Sequence, residues 1–375
     1  MAFCRELDFE TKDLVMQMTN GVLLVNLGTP DSPAPRDVYR YLIEFLTDAR
    51  VIDMPWLKRQ LLVRGVIVPA RYRQSAKSYQ AIWTPEGSPL KVYGYRVKEA
   101  LQSQLGDDFH VELAMRYQNP SIAQVLAKFK AMPLKRLIVI PFFPQYASAT
   151  TGSVHQRVME EVSRWDNIPK ITFINDYATH PAVIQAFCEV SAPYLKADYD
   201  HVLFSFHGLP KRQLAQADRY NRCCQVKDCC AKLSPLNYGC YSAQCYATAQ
   251  AIVDALHIAP DHFSIAFQSR LGKEPWLQPY TSEAITALAR QGKKRLLVFC
   301  PSFVCDCLET IHEIGVEYAE EFKHAGGEQL DLVPGLNDHS QWISALKSLV
   351  EEHLEKDYAS ACATKAAVTF ASSCR

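Results

Sequence analysis

Short apolar runs punctuate the chain at Val22–Leu27, Val111–Met115, Arg136–Pro141, Ile171–Asn175, Val202–Phe206, Phe263–Gln268, Arg295–Cys300 and Leu330–Pro334. They are rich in β-branched and aromatic residues, lack a polar face and are short for helices, so they read as strands covered on both sides. Between them apolar positions return at helical spacing, in Asp37–Leu46, Val92–Leu105, Ile122–Lys130, Pro181–Tyr194, Ala243–Leu256, Thr281–Gln291 and Leu346–Glu355. Strand alternating with helix predicts an α/β protein with parallel sheets. Two stretches echo each other: Val22–Pro30 matches Val202–Pro210 at Val, Leu, Gly and Pro, and Lys135–Phe143 resembles Lys294–Phe303. The pattern predicts two similar doubly wound, Rossmann-like domains, each a parallel sheet flanked by helices. One covers residues 20–172 and is rejoined by a helix at 340–358; the other covers 173–339, with a loose tail at 359–375.

Pro55–Pro69 departs from this grammar. It is apolar with scattered cations and is interrupted by Gly65. It reads as a buried helix or as an apolar lip beside a greasy ligand, in preference to a membrane anchor, because it is short and broken. Peripheral membrane contact is the further alternative.

Charge and composition narrow the function. Of 375 residues, 40 are Lys or Arg and 40 are Asp or Glu, a balance that gives no basic face for nucleic acid. No apolar run approaches bilayer-spanning length. Met1–Asn20 carries Arg5, Glu6, Asp8, Glu10, Lys12 and Asp13 in place of the apolar block of a secretory signal, so a cytoplasmic protein is expected, monomeric or homodimeric. No Gly-x-Gly-x-x-Gly follows a strand and no P-loop occurs, which disfavours nucleotide-dependent enzymes.

Ligands of open α/β sheets gather at the carboxyl ends of strands, so the residues just beyond each run are the candidates. His207 closes the Val202–Phe206 run. Beyond Arg295–Cys300 come Asp306, Glu309, Glu313 and Glu317, the last three at fourth-residue spacing that lines carboxylates along one helical face. A solvated acidic face is the ordinary explanation of such a row. Here the row begins at a strand end, and Leu308, Ile311, Ile314 and Val316 make the rest of the helix apolar. It therefore reads as an inward file that passes a hard divalent cation or carries protons outward. One imidazole (His207) and one carboxylate (Glu309) would coordinate ferrous iron incompletely, as suits a metal in transit, or would accept protons from a substrate. Arg116 and Tyr117 follow the Val111 strand, and Tyr146 and Thr150–Ser153 follow the Arg136 strand.

These stretches together resemble the ferrochelatase family. The matching residues are Leu27–Pro30, Gly87–Leu90, Arg116-Tyr117, Pro144–Tyr146 with Thr150–Ser153, Ser205–Pro210, Gln268–Arg270 with Pro275-Trp276, and Leu308–Thr310. They stand in family order from about Val22 to Trp342. The resemblance implies a chelatase-like pair of domains clamping a porphyrin, and insertion of Fe(2+) into protoporphyrin IX with release of two protons, giving protohaem at the end of haem biosynthesis. It implies that His207 and Glu309 handle the metal and the protons, that Asp306, Glu313 and Glu317 form the proton or metal path, and that Arg116, Tyr117, Tyr146 and Ser153 bind the porphyrin. The chemistry agrees: a flat macrocycle hides its nitrogen lone pairs, so a site that puckers it and supplies a base lowers the barrier. One position departs from the better-studied members, where Asp-His-x-Glu is replaced by Asp306-Cys307-Leu308-Glu309. The second imidazole is lost, and Cys307 reads as a packing residue.

Thirteen cysteines are many for such a chain, and Cys223, Cys224, Cys229, Cys230, Cys240 and Cys245 crowd within the 218–245 segment. In a reducing compartment that crowding suggests a metal centre, either an iron–sulfur cluster or a structural zinc. Some ferrochelatases carry a two-iron, two-sulfur cluster, a subset of bacterial ones on an internal segment like this one; for a [2Fe-2S] centre here the candidate ligands are Cys224, Cys230, Cys240 and Cys245, a choice the Cys doublets leave open, and the alternative is unliganded thiols. Three rivals stand beside iron insertion into protoporphyrin: a chelatase for coproporphyrin or a corrin precursor, a non-catalytic two-domain ligand trap, and an iron–sulfur redox protein. The missing secretory signal weighs against the trap, and the missing flavin or nicotinamide signatures weigh against the redox protein.

Overall fold

The computed structural model describes residues 19–218, 228–272 and 274–354. Two four-stranded parallel sheets lie among helices. The first contains β1 (Thr19–Gly28), β2 (Phe109–Tyr117), β3 (Leu134–Pro141) and β4 (Lys170–Phe173) in the order β2-β1-β3-β4. The second contains β5 (His201–His207), β6 (Phe263–Gln268), β7 (Arg295–Phe299) and β8 (Gln329–Leu332) in the order β6-β5-β7-β8. The two orders are the same. The internal echo has this origin: its first pair of stretches forms the first strand of each sheet, and its second pair forms the third strand.

Side-chain alternation shows why the strands are apolar throughout. Leu23 and Val25 of β1 pack with Val125, Leu126, Phe129, Val154 and Val158 on one side of the first sheet. Leu203 of β5 and Leu296 and Val298 of β7 do the same on one side of the second, with Ile285, Leu288 and Phe322. The opposite faces, Val22 and Leu24 of β1 and Phe204 and Phe206 of β5, belong to one core shared by both sheets. Each such side chain fully removed from water contributes about 1.5–3 kcal/mol, so the shared core holds the two sheets together. The helix at 340–354 enters it: Trp342 is fully buried, with ring centroids 6.0 Å from Phe142 and 5.9 Å from Tyr177.

The Pro55–Pro69 stretch is a correction to the buried-helix expectation. It forms a helix at Trp56–Leu62, a π-helical turn at Val63–Ile67 and the start of the helix Val68–Ile82. Only Val63, Val68 and Arg59 are buried there, whereas Trp56, Leu57, Leu61 and Val66 are 60–66% exposed. Arg59 anchors this lip by donating to the carbonyls of Thr47 (2.8 Å) and Met54 (2.6 Å). Helices Val68–Ile82 and Ser153–Val162 were not anticipated, since the first carries a thin apolar stripe in a polar sequence and the second relies on β-branched valines. The anticipated helix after Leu308 is π-helical over Glu309–Tyr318. A third π-helical turn spans Ser148–Gly152. π-helical segments are uncommon and concentrate at functional sites, and all three contribute residues to one cleft.

Candidate active site

The cleft has a volume of about 1230 Å³ and opens at the carboxyl ends of both sheets. That is above the common range for small-molecule sites, which suits a large flat ligand. Its walls are the end of β1 (Asn26–Thr29), the lip (Met54, Leu62, Ile67), the end of β5 (His207, Leu209) and Glu309, Glu313 and Glu317 of the π-helix. Two motifs of the family pattern meet here, with Thr29 donating to Ser88 Oγ at 2.8 Å. Gly28 makes the approach possible: its φ is +117°, and a Cβ on it would lie 2.0 Å from the Tyr117 carbonyl oxygen.

His207 and Glu309 share this cleft. His207 is half-buried, its ring 6.5 Å from Trp276 and 6.2 Å from Phe303. Its Nδ1 lies 2.6 Å from the Gly208 carbonyl oxygen. A carbonyl only accepts, so Nδ1 carries the hydrogen, and in the neutral imidazole the lone pair then sits on Nε2. Tyr241 holds the backbone, its hydroxyl donating to the His207 carbonyl at 2.8 Å. Glu309, also half-buried, stands among protonated neighbours. The Cys307 thiol donates to it, and burial first and the Glu309 charge second push that thiol well up. Burial, with Glu309 as a further cause, likewise raises the Tyr41 and Tyr79 phenols. Cys307 lines the cleft beside the carboxylate it bonds, a closer part than packing alone.

The carboxylate file is shorter than the sequence suggested. Glu313 is half-buried and held by four donors: Ser269 N (3.0 Å), Ser269 Oγ (2.6 Å), Tyr318 OH (2.9 Å) and Gln268 Nε2 (3.3 Å). Glu317 is exposed, 3.3 Å from His312 Nδ1. Asp306 does not continue the file. It is 7% exposed, and its carboxylate accepts from Thr310 Oγ1 (3.0 Å), Gly335 N (3.0 Å) and Asn337 Nδ2 (2.7 Å). With its oxygens so used, it ties the loop before the π-helix to the loop after β8. His312 is a site residue that the sequence reading did not single out, while Gln268 and Ser269 were named there only as part of the family pattern, without a role. The rule that found His207, a polar residue at the carboxyl end of a buried strand, also applies to Gln268.

Arg116, Tyr117 and Ser153 converge, but around Asp48 and away from the cleft lining. Asp48 Oδ2 accepts from Arg116 Nη2 (2.6 Å), Tyr117 OH (2.9 Å) and Ser153 Oγ (2.5 Å), and Oδ1 accepts from Arg50 N (2.7 Å). The Arg116 guanidinium lies 4.6 Å from the Tyr117 ring centroid. Burial raises the Asp48 carboxyl, but these donors and the Arg116 charge together hold it below its ordinary value. Asp48 also begins the turn into Val51–Asp53, three residues that line the cleft, so the cluster positions a wall. Tyr146 is half-buried and donates its backbone N–H to Gln244 Oε1 at 2.6 Å. At the mouth Arg212 pairs with Asp53 and, at 3.4 Å, with Glu274.

Cys224 lies outside the described residues. Cys230 is hydrogen-bonded to Cys240, and Cys240 in turn lies close enough to Cys245 to raise its thiol beyond the effect of burial. Hydrogen bonding to Cys240 and burial push the Cys230 thiol up, and burial does the same to Cys245. Among the described residues no group of three or more His, Cys, Asp or Glu side chains has metal-holding geometry. The described thiols therefore do not fit a [2Fe-2S] cluster by themselves, and metal insertion, which moves protons, requires no electrons from one.

The ferrochelatase family model matches residues 19–354. Ferrochelatase of Legionella pneumophila strain Paris is 44% identical over 337 residues, which is 90% of this chain and 100% of that protein. Ferrochelatase of Coxiella burnetii strain Dugway is 42% identical over 336 residues, 89% of this chain and 94% of that protein. Among solved structures, the sirohydrochlorin chelatase SirB of Bacillus subtilis subspecies spizizenii, in complex with cobalt, superposes with a TM-score of 0.51 at 10% identity, over 89% of this chain and 95% of that one. That likeness shows the fold. No described helix is long and apolar enough to cross a membrane. The chain thus belongs to the ferrochelatase family of metal-inserting chelatases, whose metal substrate is Fe(2+).

Proposed function

We propose that the cleft binds protoporphyrin IX and that His207 and Glu309 exchange its two central protons for ferrous iron, giving protohaem. The observation that carries this reading is the contact of His207 Nδ1 with the Gly208 carbonyl in the cleft it shares with Glu309, since in the neutral imidazole that contact leaves the lone pair on Nε2. Porphyrin and metal are both substrates. A puckered macrocycle presents its nitrogen lone pairs on one face, and His207 takes one of the two protons as the metal–nitrogen bonds form. Glu309 supplies the second acceptor. Glu313 and Glu317, progressively more exposed, provide the route along which protons leave or iron arrives. Arg116, Tyr117 and Ser153 support the porphyrin wall through Asp48, and Tyr146 holds the turn that precedes the Ser148–Gly152 segment.

Anaerobic incubation of purified protein with ferrous iron and protoporphyrin IX tests the assignment. Porphyrin absorption should be replaced by the protohaem spectrum, faster than in a parallel reaction with coproporphyrin. Preference for coproporphyrin would move the substrate to that more highly carboxylated relative and leave the chelatase chemistry in place.

We further propose that the lip rests on a lipid surface, from which an apolar porphyrin can enter the cleft. Support comes from Trp56, Leu57, Leu61 and Val66 exposed beside the cleft, with Lys58 and Arg64 exposed among them. The protein should float with vesicles rich in phosphatidylglycerol. A Trp56→Ser/Leu57→Ser/Leu61→Ser variant should remain in solution while keeping iron insertion into detergent-dispersed porphyrin. Equal flotation of the two proteins would reject the lip as the contact.

A further inference from the structure

β6 ends on Gln268, which lies in register with His207 of β5 and whose carbonyl accepts the Gly208 N–H at 2.8 Å. A Cβ on Gly208 would sit 2.8 Å from that same oxygen, so the glycine lets the two strand ends approach this closely. The Gln268 side chain is 1% exposed and fully engaged. Its Oε1 accepts from Ser205 Oγ at 2.8 Å and faces the Cys300 thiol at 3.8 Å. Its Nε2 donates to the Glu309 carbonyl at 2.9 Å and to Glu313 Oε2 at 3.3 Å. Turning the amide over would set oxygen against a carbonyl and a carboxylate, so only one orientation satisfies it. The next residue continues the contact: Ser269, at φ +66°, aims both its N–H and its hydroxyl at Glu313.

We propose that Gln268 is a positioning residue for iron insertion, its amide fixing the offset between the His207 imidazole and the Glu309 carboxylate. The inference rests on the His207–Glu309 reading. His207 and Glu309 come from different elements, a strand end and the first residue of the π-helix, and Gln268 bonds to Gly208, the residue after His207, and to the Glu309 carbonyl. Its backbone sets the height of the β5 end, and its side chain sets the start of the π-helix. A displacement of about 1 Å between reacting groups costs on the order of 100-fold in rate, without any loss of contact to the rest of the ligand.

Gln268→Met preserves length while removing the donor and the acceptor. It should lower kcat for iron insertion by about 10- to 100-fold, with KM for porphyrin and iron close to the parent values. The rate is counted per molecule that binds porphyrin, measured by fluorescence titration, so that a misfolded fraction does not contribute. Gln268→Glu, which sets a carboxylate against the Glu309 carbonyl and Glu313, should lower kcat further, again with little change in KM. Should Gln268→Met fail to fold, Ser205→Ala, which removes the amide oxygen's hydroxyl donor and the Ser205 contact with Thr281 Oγ1 but leaves the amide donor on Glu309, should give a smaller fall in kcat at constant KM. Unchanged kcat in the folded variants, or a loss confined to KM or to the porphyrin-binding fraction, would overturn the proposal. His207→Ala assayed alongside separates the two levels. If it is inactive while Gln268→Met is fully active, the positioning role alone is rejected; if it is active, the underlying reading is rejected too.

Discussion

His207→Ala should make haem about 10²- to 10⁴-fold more slowly than the parent, the usual worth of a positioned proton acceptor. The substitution removes the ring and leaves the walls it faced, Trp276 and Phe303, in place. Porphyrin affinity should therefore change little, and the loss should fall on kcat. The fold should survive, because the Gly208 carbonyl loses one hydrogen bond at a half-buried position, a matter of about 1 kcal/mol. Glu309→Gln is the matching change on the other wall. It keeps shape and an oxygen for the Cys307 thiol to donate to, but it removes the charge and the ability to accept a proton. A comparable loss is expected, and because the two residues act on one exchange, the double variant should be little worse than either single one. Haem formation at the parent rate by His207→Ala would remove the basis of the mechanism.

Asp48→Ala should cost about 3–5 kcal/mol of stability, the range for removing one partner of a buried ion pair. The Asp48 side chain is 8% exposed and Arg116 17%, and the substitution leaves the guanidinium, the Tyr117 hydroxyl and Ser153 without their common acceptor. Denaturant titration measures this directly as a shift in midpoint. The sign of the pH dependence is also determined. Because the Asp48 carboxyl is held below its ordinary value in the folded protein, its contribution is fully present above the unfolded pKa of about 3.9 and is lost as pH falls through the lower folded value. The gap between parent and Asp48→Ala should therefore narrow on acidification below about pH 4. A gap that is constant with pH would show that the carboxylate charge is not what the cluster uses. Activity should fall as well, since Asp48 leads into the Val51–Asp53 wall.

The α/β class, the duplication and the central strands were legible because a strand buried on both faces must be largely apolar, a demand that local sequence displays, whereas the edge strands β4 and β8 are only partly buried and carry polar residues. His207 follows one such run directly and Glu309 follows another across a loop, and the structure places both on the lining of one cleft. The exposed lip was harder to read. Exposed and buried apolar helices have similar local patterns, and only the neighbours reveal that among the described residues nothing covers Trp56 and Leu61. The clustering of Arg116, Tyr117 and Ser153 was also visible as adjacent motifs, but their common partner was not. Asp48 lies far from all three in the chain, in a turn with no signal of its own.

The amino-acid order by itself determined which segments are strands and helices and which family the molecule joins, because periodicity and motif are properties of neighbours along the chain. Only the tertiary structure decided that Asp306 is a loop anchor, that Glu313 is clamped by Ser269 and Tyr318, and that Gln268 links the β5 end to the π-helix. The reason is physical. A carboxylate or an amide is defined by what its hydrogen bonds reach, and these partners come from strands and loops that meet only when the sheets are packed.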